Sequence, residues 1–236
     1  MYRYETHLHT FPVSRCAKAS VEESLRFYKS IGYDGVFVTN HFVDGNINID
    51  KALPYEEQIN FYFSDYEKAL ELSEEIGIKV FLGIELSYKG TDFLVYGLDK
   101  KWFLSHPEIT TMKKSDELKF MIENGALIFQ AHPFRNGGYI DHIRLYPHCV
   151  HGVEIINAAR PLPENDIAKL YCKHYNLIEF AGSDNHTASK RSSLAGVCTK
   201  EPVLSVEDFI EKVKNKETEI FHIKEDEINK LCEANL

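Results

Sequence analysis

Two histidines separated by one residue, His7-Leu8-His9, stand at the front of the chain, and Ser183-Asp184-Asn185-His186 sets an Asp and a His at the same spacing near its far end. In an extended strand, residues i and i+2 point to one face. Each pair therefore aims two donor atoms into one pocket, and imidazole nitrogen with carboxylate oxygen is the donor chemistry of a divalent metal site. Taken singly, such a pair is more often solvated or satisfied within a core. Its weight comes from repetition at the ends of apolar runs. Gly35-Val36-Phe37-Val38-Thr39 leads to Asn40-His41, and Val80-Phe81-Leu82-Gly83-Ile84 leads to Glu85. Ala126-Leu127-Ile128-Phe129-Gln130-Ala131 leads to His132-Pro133, and Ile178-Glu179-Phe180-Ala181-Gly182 leads to Asp184 and His186. Short runs rich in Val, Ile and Phe, bounded by Gly or Pro, read as buried strands. Ligand-type residues just past them are what the C-terminal mouth of an α/β barrel carries.

The elements that must position these residues alternate along the chain. Strands are predicted at 3–10, 35–39, 78–86, 93–98, 126–131, 151–156 and 177–181, with a last one at 219–223. Ser20 with Glu23 three residues on forms a capping box that opens a helix through Ser30, whose Val21, Leu25 and Tyr28 keep helical spacing. Further helices are predicted at 55–76, 115–124, 163–175 and 205–214, and a short surface helix at 225–236. Gly32, Gly77 and Gly125 mark helix ends. Strands alternating with helices of this length imply parallel βα units. One domain spanning 1–236 is expected, with a core over about 1–200 and a C-terminal extension over about 201–236.

The 236 residues suit one large core. Hydrophobic content of 44% with 27% charged residues reads as a soluble globular chain. A net charge of −9 argues against long nucleic acid, which needs a basic surface, but leaves room for a small anionic substrate held by local cations. The N-terminal stretch Met1-Tyr2-Arg3-Tyr4-Glu5 has no leader pattern, and no run reaches membrane-spanning length. Five scattered cysteines, Cys16, Cys149, Cys172, Cys198 and Cys232, fit reduced thiols in the cytoplasm better than a disulfide framework.

Taken in order, His-x-His, Thr-Asn-His, Gly-Ile-Glu, Ala-His-Pro and Gly-Ser-Asp-x-His resemble the motifs of the polymerase and histidinol phosphatase (PHP) superfamily, over roughly residues 5 to 190. The resemblance implies a distorted (β/α)7 barrel, TIM-barrel-like, that binds two to three divalent metals and hydrolyses phosphoester bonds. It implies that His7, His9, Glu85 and Asp184 hold one metal. Glu85 would bridge to a second, which His132 also binds, and His41 and His186 would hold a third. Mixed nitrogen and oxygen ligation suits Zn, Mn or Fe.

The chain departs from the family in three places. Where the family has a His or Asp after the second histidine, the stretch reads Phe11-Pro12-Val13-Ser14-Arg15-Cys16. A cation cannot ligate a metal, so three readings stand: Cys16 substitutes, the third site is weak or absent, or Arg15 contacts substrate phosphate. The usual Thr-Asp-His is Thr39-Asn40-His41, which loses a supporting carboxylate. Aligning on Gly97-x-Asp99 puts Asp92 in a slot where relatives often place a histidine, so Asp92 is a further metal candidate. Arg135, just past Ala131-His132-Pro133-Phe134, is set to bind phosphate through its planar fork, with a surface ion pair as the plain alternative. Glu154 is a hydrogen-bond acceptor behind the ligands or a simple strand-end carboxylate. Arg160, Lys190 and Arg191 rim the pocket or belong to solvated loops.

The expected activity is hydrolysis of a small phosphorylated substrate by a metal-activated hydroxide, of the histidinol-phosphatase, nucleotide or sugar phosphate kind. Arg135, with Arg15, would orient the phosphate, and Asp184 or His186 would assist proton transfer. Two other readings stand beside it: a non-phosphate hydrolase of the amidohydrolase type, and a non-catalytic degenerate domain.

Overall fold

Cap residues and glycines divide the chain much as their chemistry dictates. The computed structural model describes residues 1–189 and 193–234. Its elements are β1 (Tyr2–Leu8), α1 (Val21–Ser30), β2 (Gly35–Val38), α2 (Tyr55–Ile76), β3 (Lys79–Leu82), β4 (Ile84–Tyr88), β5 (Thr91–Tyr96) and α3 (Lys100–Ser105). A 3-10 turn (Pro107–Thr111) leads to α4 (Lys114–Glu123), β6 (Leu127–Ala131), β7 (Gly152–Asn157), α5 (Leu162–His174), β8 (Ile178–Gly182), β9 (Ser193–Thr199), α6 (Val206–Lys214), β10 (Thr218–Lys224) and α7 (Glu225–Ala234). The capping box of α1 is formed in both directions, and Ser205 caps α6 through the Asp208 amide. Gly77 ends α2 in the left-handed conformation, at φ 72°. Among the described residues, no helix is long and apolar enough to cross a membrane.

The α/β class holds, but the strands lie in two five-stranded sheets rather than one closed ring. Their orders are β10-β9-β1-β2-β3 and β4-β5-β6-β7-β8. The implied parallel pairing is found at β1-β2-β3 and β6-β7-β8, with α1, α2 and α5 as crossovers and a loop between β6 and β7. The pairs are antiparallel at β4-β5-β6 and where β9 meets β1 and β10, although α3 and α4 lie between β5 and β6 and α6 between β9 and β10. The single strand expected over 78–86 breaks at Gly83 and enters both sheets. A Cβ there would stand 2.5 Å from Thr39 Cγ2, so only glycine lets β3 hand over to β4.

Two seams join the sheets. At one, His41 bridges Glu85, and at the other, Leu8 bridges Asn185. Backbone bonds reinforce both: Glu85 N donates to Asn40 O (3.1 Å) and His9 N donates to Asn185 O (2.9 Å). Both seams fall where the sequence carries its ligand-type residues.

Below the seams an aromatic plug fills the space between the sheets. Tyr4, Phe37, Phe81, Tyr96, Phe129 and Phe180 come from six different strands, and Phe209 of α6 joins them. Phe129 and Phe180 stack at 3.8 Å, and Phe37 lies 4.5 Å from Phe209. Aromatic rings bury large areas and pack edge or face with definite geometry, so this plug fixes the strand positions above it. A register shift between Glu5 and Leu8 then re-aims β1. Tyr4 faces the plug, whereas Glu5 accepts from Tyr28 of α1 (2.7 Å) and Leu8 packs with Val21 and Leu25. His7 is thereby left pointing inward.

Gly182 of β8 lets this happen. A Cβ there would meet His7 Cβ at 2.5 Å and Glu154 Oε1 at 2.8 Å. Gly182→Ala is expected to cost about 1–3 kcal/mol, as overpacked cores do, and to push His7 off its present position. Urea unfolding of the variant measures the cost, and an unchanged midpoint would show that the approach is slack.

Candidate metal centre

The donors converge at the two seams. His7 and His9 leave β1, His41 follows β2, Glu85 lies on β4, Asp92 on β5, His132 follows β6, and Asp184 and His186 follow β8. His132 and Asp184 both take positive φ, at 25° and 51°, which non-glycine residues seldom do. Such backbone strain persists only where the surroundings over-determine it, and it gathers at functional sites.

Glu85 sits at the middle, 1% exposed. His7 Nε2 is 3.2 Å from Oε1, and His132 Nε2 is 3.3 Å from the same oxygen. His9 Nε2 lies 3.4 Å from Oε2, and His41 Nδ1 lies 2.6 Å from it. Asp184 Oδ1 adds contacts of 3.6 Å to His7, 3.4 Å to His9 and 3.5 Å to His186. Three sets of donor atoms lie within 4.8 Å of one another: His7 with Glu85 and His132, His7 with His9 and Asp184, and His9 with His41 and His186. They bring together the residues that the resemblance groups, with a different division: His7 falls in two sets, Glu85 only with His7 and His132, and His9 joins His41 and His186.

These residues fit divalent ions. Both Glu85 oxygens, His41 Nδ1, His132 Nε2 and Asp92 Oδ2 are buried without an aligned hydrogen-bond partner. Buried polar atoms are normally satisfied, and a cluster of converging exceptions with nitrogen and oxygen donors is the signature of a cation site.

Electrostatics bind the group together. Burial would lower His7 and His41, but Glu154, Asp184 and Glu85 around His7, and Glu85 beside His41, raise both well above the ordinary histidine value. Burial would raise Glu85 and Asp184, yet the histidines outweigh it and hold both carboxylates well down. His9 is driven well below its ordinary value, first by burial and then by His186 and His41. Burial and the neighbouring Glu85 charge push Asp92 up, against His132 and Arg135.

A second layer orients the ligands. Glu154, one of the two-way residues of the sequence, is fully buried behind them. Its Oε1 is 3.0 Å from His7 Nδ1, and its Oε2 accepts from the His132 amide (3.0 Å) and from Asn157 Nδ2 (2.9 Å). Glu5 accepts from the His7 amide and the Ser183 amide, both at 2.9 Å, which ties β1 to the loop after β8. Asn40 accepts from the Thr10 amide and from Ser14 Oγ, both at 2.7 Å, and donates to Asp65 Oδ2 at 3.3 Å. The carboxylate missing at Asn40 is thus supplied from α2 by Asp65, which also accepts from Thr10 Oγ1 at 2.7 Å. Sequence reasoning missed Glu5, Asp65 and Asn157. The first lies two residues before His7 in the same strand, a signal that period-2 reading could have used.

The arginines separate. Arg135 Nη2 lies 3.3 Å from Asp92 Oδ2, its Nε is buried without a partner, and its Cζ is 5.7 Å from the Tyr139 ring centroid. Asp92 is 3.9 Å from His132 Nε2 and joins none of the three donor sets, so it stands between the ligands and Arg135. Arg15 is exposed and is not among the residues that line the cavity over the donors. Ser14 and Cys16 on either side of it turn inward, and the Arg15 amide is held by Asn46 O at 2.9 Å. Cys16 occupies the slot instead, in hydrogen-bonding reach of His41 and His186, and these two bring its thiol down to about 6 against the upward effect of burial. Arg160 pairs with Glu164 at 2.9 Å, and Lys190 and Arg191 lie outside the described residues.

One cavity of about 620 Å³ opens over the donors, lined by Cys16, His41, Glu85, Asp184 and His186 on one side and by Lys89, Asp92, Arg135 and Tyr139 on the other. A second cavity of about 430 Å³, lined by Tyr66, Leu82, Leu98 and Leu204, touches none of the candidate ligands.

A histidine with a raised folded pKa adds stability below its unfolded value and loses it as pH rises through the folded one. Metal-free protein is therefore expected to lose thermal stability as pH climbs above about 6.5, where His7 and His41 shed their protons. Glu85 and Asp184, held low, contribute throughout that range. Added Zn or Mn reverses the slope, because ions bind the deprotonated donors. Melting curves with EDTA and with metal should diverge as pH rises, and parallel curves would reject the linkage.

No family description matches the chain, and no curated protein does. Solved structures match across most of it. A two-domain protein from Bacteroides vulgatus containing a predicted PHP-like metal-dependent phosphoesterase aligns at 18% identity over 93% of this chain, with a TM-score of 0.65. The chain spans 64% of that protein's length. PsfC from Pseudomonas syringae aligns at 17% identity over 100% of this chain and 97% of its own, with a TM-score of 0.60. An amidohydrolase from Chromobacterium violaceum, with bound sulfate and no metal, aligns at 12% identity over 78% of this chain and 88% of its own, with a TM-score of 0.51. At these identities the likeness is one of fold alone, shared with proteins described as containing a predicted PHP-like metal-dependent phosphoesterase and as an amidohydrolase.

Proposed function

We propose that the chain is a metal-dependent phosphoesterase acting on a small phosphorylated substrate in the 620 Å³ cavity. The observation that carries this reading is Arg135. A guanidinium with a buried, unpartnered Nε faces the same cavity as the Glu85 cluster, anchored on one side by Asp92. Arginine's planar fork suits the oxygens of a phosphate, and Asp92 fixes its orientation before substrate arrives. Divalent ions at the three donor sets would supply a water of low pKa and screen the charge of the phosphate oxygens.

The chain's own residues do the rest. Glu85 and Asp184, ionised by the histidines around them, balance cationic charge. Glu154 keeps the His7 Nδ1 proton in place, so that Nε2 faces the donors as an acceptor. His186, the donor set's most accessible imidazole, holds Nδ1 2.9 Å from the Asp184 carbonyl, which leaves Nε2 as its donor atom toward the cavity. Lys89 and Tyr139 sit on the exposed rim and would meet the rest of the substrate. In this reading the two sheets, bridged at both seams, serve as the distorted (β/α)7 barrel, and residues 1–236 act as one domain. The free thiols of Cys16, Cys149 and Cys172 suit a cytoplasmic setting.

A second reading is a metal hydrolase of the amidohydrolase type, favoured by the amidohydrolase among the similar structures. One pair of variants separates the two. Glu85→Gln removes the carboxylate charge at the centre of the cluster and should abolish metal retention and nearly all turnover under either reading. Arg135→Ala should retain metal but lower kcat/KM for phosphomonoesters by roughly 10- to 150-fold, the equivalent of a lost charge-assisted hydrogen bond of about 1.5–3 kcal/mol. Elemental analysis and a phosphorylated-metabolite screen read both out. Full activity of Arg135→Ala, or turnover of amides alone, would remove the phosphoesterase reading, and metal retained by Glu85→Gln would remove Glu85 as a ligand.

A further inference from the structure

Three imidazoles, His9, His41 and His186, bring donor atoms within 4.8 Å of one another, with the His9 ring centroid 4.3 Å from that of each neighbour. Three nitrogens leave a tetrahedral ion one ligand short. The turn after β1 offers neither an imidazole nor a carboxylate there, since Arg15 faces solvent.

It offers a sulfur. Cys16 Sγ is in hydrogen-bonding reach of both His41 and His186 and lines the same cavity. Its position is set by backbone bonds that do not involve its side chain. The Arg15 amide donates to Asn46 O (2.9 Å), the Ala17 amide to Ser14 O (3.1 Å) and the Lys18 amide to His186 O (2.8 Å). The last of these ties the Cys16 turn directly to the residue that carries a donor of the set. On the inner side Ser14 Oγ stands 3.1 Å from His9 Nδ1 and donates to Asn40 Oδ1 at 2.7 Å, so His9 presents Nε2 to the pocket. A separate observation marks the neighbourhood as a ligand site: His41 is nine-tenths buried, and its Nδ1, 2.6 Å from Glu85 Oε2, has no aligned hydrogen-bond partner.

We propose that Cys16 is a thiolate ligand that completes the His9, His41 and His186 pocket, and that it biases this one position toward a borderline-soft ion such as Zn(II) over Mn(II). This rests on the reading that the cluster holds divalent metals, and it concerns only the third of its donor sets. The softness of sulfur supplies the preference: thiolate strengthens binding of Zn(II) and Co(II) far more than of Mn(II), which favours oxygen. The two donor sets built on Glu85 and Asp184 lack sulfur and keep no such preference. One chain would then carry sites of two different selectivities side by side.

Cobalt tests this without any turnover measurement, because a Co(II)–thiolate bond gives an intense near-ultraviolet charge-transfer band that nitrogen and oxygen ligands do not. Metal-stripped full-length protein is titrated with Co(II) and, separately, with Zn(II) and Mn(II), and bound metal is counted. The wild-type chain should show the band. Cys16→Ser should lose it, with Zn(II) at one position weakened at least tenfold and Mn(II) little changed. Cys16→His, which restores a donor without sulfur, should recover the stoichiometry but not the band, which guards against a simple folding defect in the serine variant. Co(II) loading to two or more ions per wild-type chain with no band would overturn the thiolate ligand and leave the metalloenzyme reading standing. A band that persists in both variants would do the same. Failure of the wild-type chain to bind any of the three metals would overturn both.

Discussion

A carboxylate with both oxygens buried and no aligned donor on either is costly to fold around. Glu85 is that carboxylate, and the rest of the molecule is arranged to make it tolerable. Four histidines, arriving from β1, the end of β2 and the end of β6, stand within 3.4 Å of its oxygens. His7, His41 and His132 are too buried to carry charge alone, so their protonation and the ionisation of Glu85 sustain one another, whereas burial and the neighbouring histidines keep His9 neutral. Without cations the cluster holds together as a network of mutually dependent charges. With cations the same atoms would become a ligand set and release their protons, so that folding and metal binding would act on a single group of side chains.

Such a cluster needs the strands brought close at two places, and the local departures from regular geometry lie there. Gly83 lets the chain pass from one sheet to the other beside Glu85, and Gly182 lets β8 come against His7. Bulges between Glu5 and Leu8 and between Glu154 and Ile156 turn His7 and Glu154 toward each other. The supporting acids then hold what the bulges have aimed. Glu5 fastens the His7 backbone, Glu154 the His7 ring and the His132 backbone, and Asp65 the turn that carries Ser14. Ordered in this way, the donors are held by backbone as much as by side-chain packing.

The ligand residues were legible because their chemistry is local. A donor just past an apolar run is visible in a line of sequence, and the helix bounds of α2 follow from Tyr55, Gly77 and the spacing between them. What was hidden depends on long-range pairing. β9 runs Ser193–Thr199 with Gly196 at its middle, and its glycine and small residues carry no strand pattern, yet it pairs with both β1 and β10. A Cβ at Gly196 would stand 2.2 Å from Tyr4 O, so the residue that weakens the strand signal is required by the pairing itself. α3, only six residues long, gave no periodicity to find. Arg15 and Cys16 were legible as competitors for one slot but not as a resolved choice, because which of two neighbours faces inward depends on Asn46 and His186, far along the chain.

Stability and chemistry are divided along the strand axes. At one end six strands each contribute a ring to a packed plug, where shape complementarity and apolar burial act without regard to charge. At the other end β1, β2, β4, β5, β6 and β8 carry the donors, and two of these, His132 and Asp184, take positive φ. Neither end could exist without the other. Strain at positive φ and buried charge persist only on a frame rigid enough to refuse relaxation, and a plug of aromatic rings joined to α6 by Phe209 is such a frame. In β1 the change from one regime to the other takes three residues: Tyr4 belongs to the plug, the register shifts after Glu5, and His7 already belongs to the donor cluster.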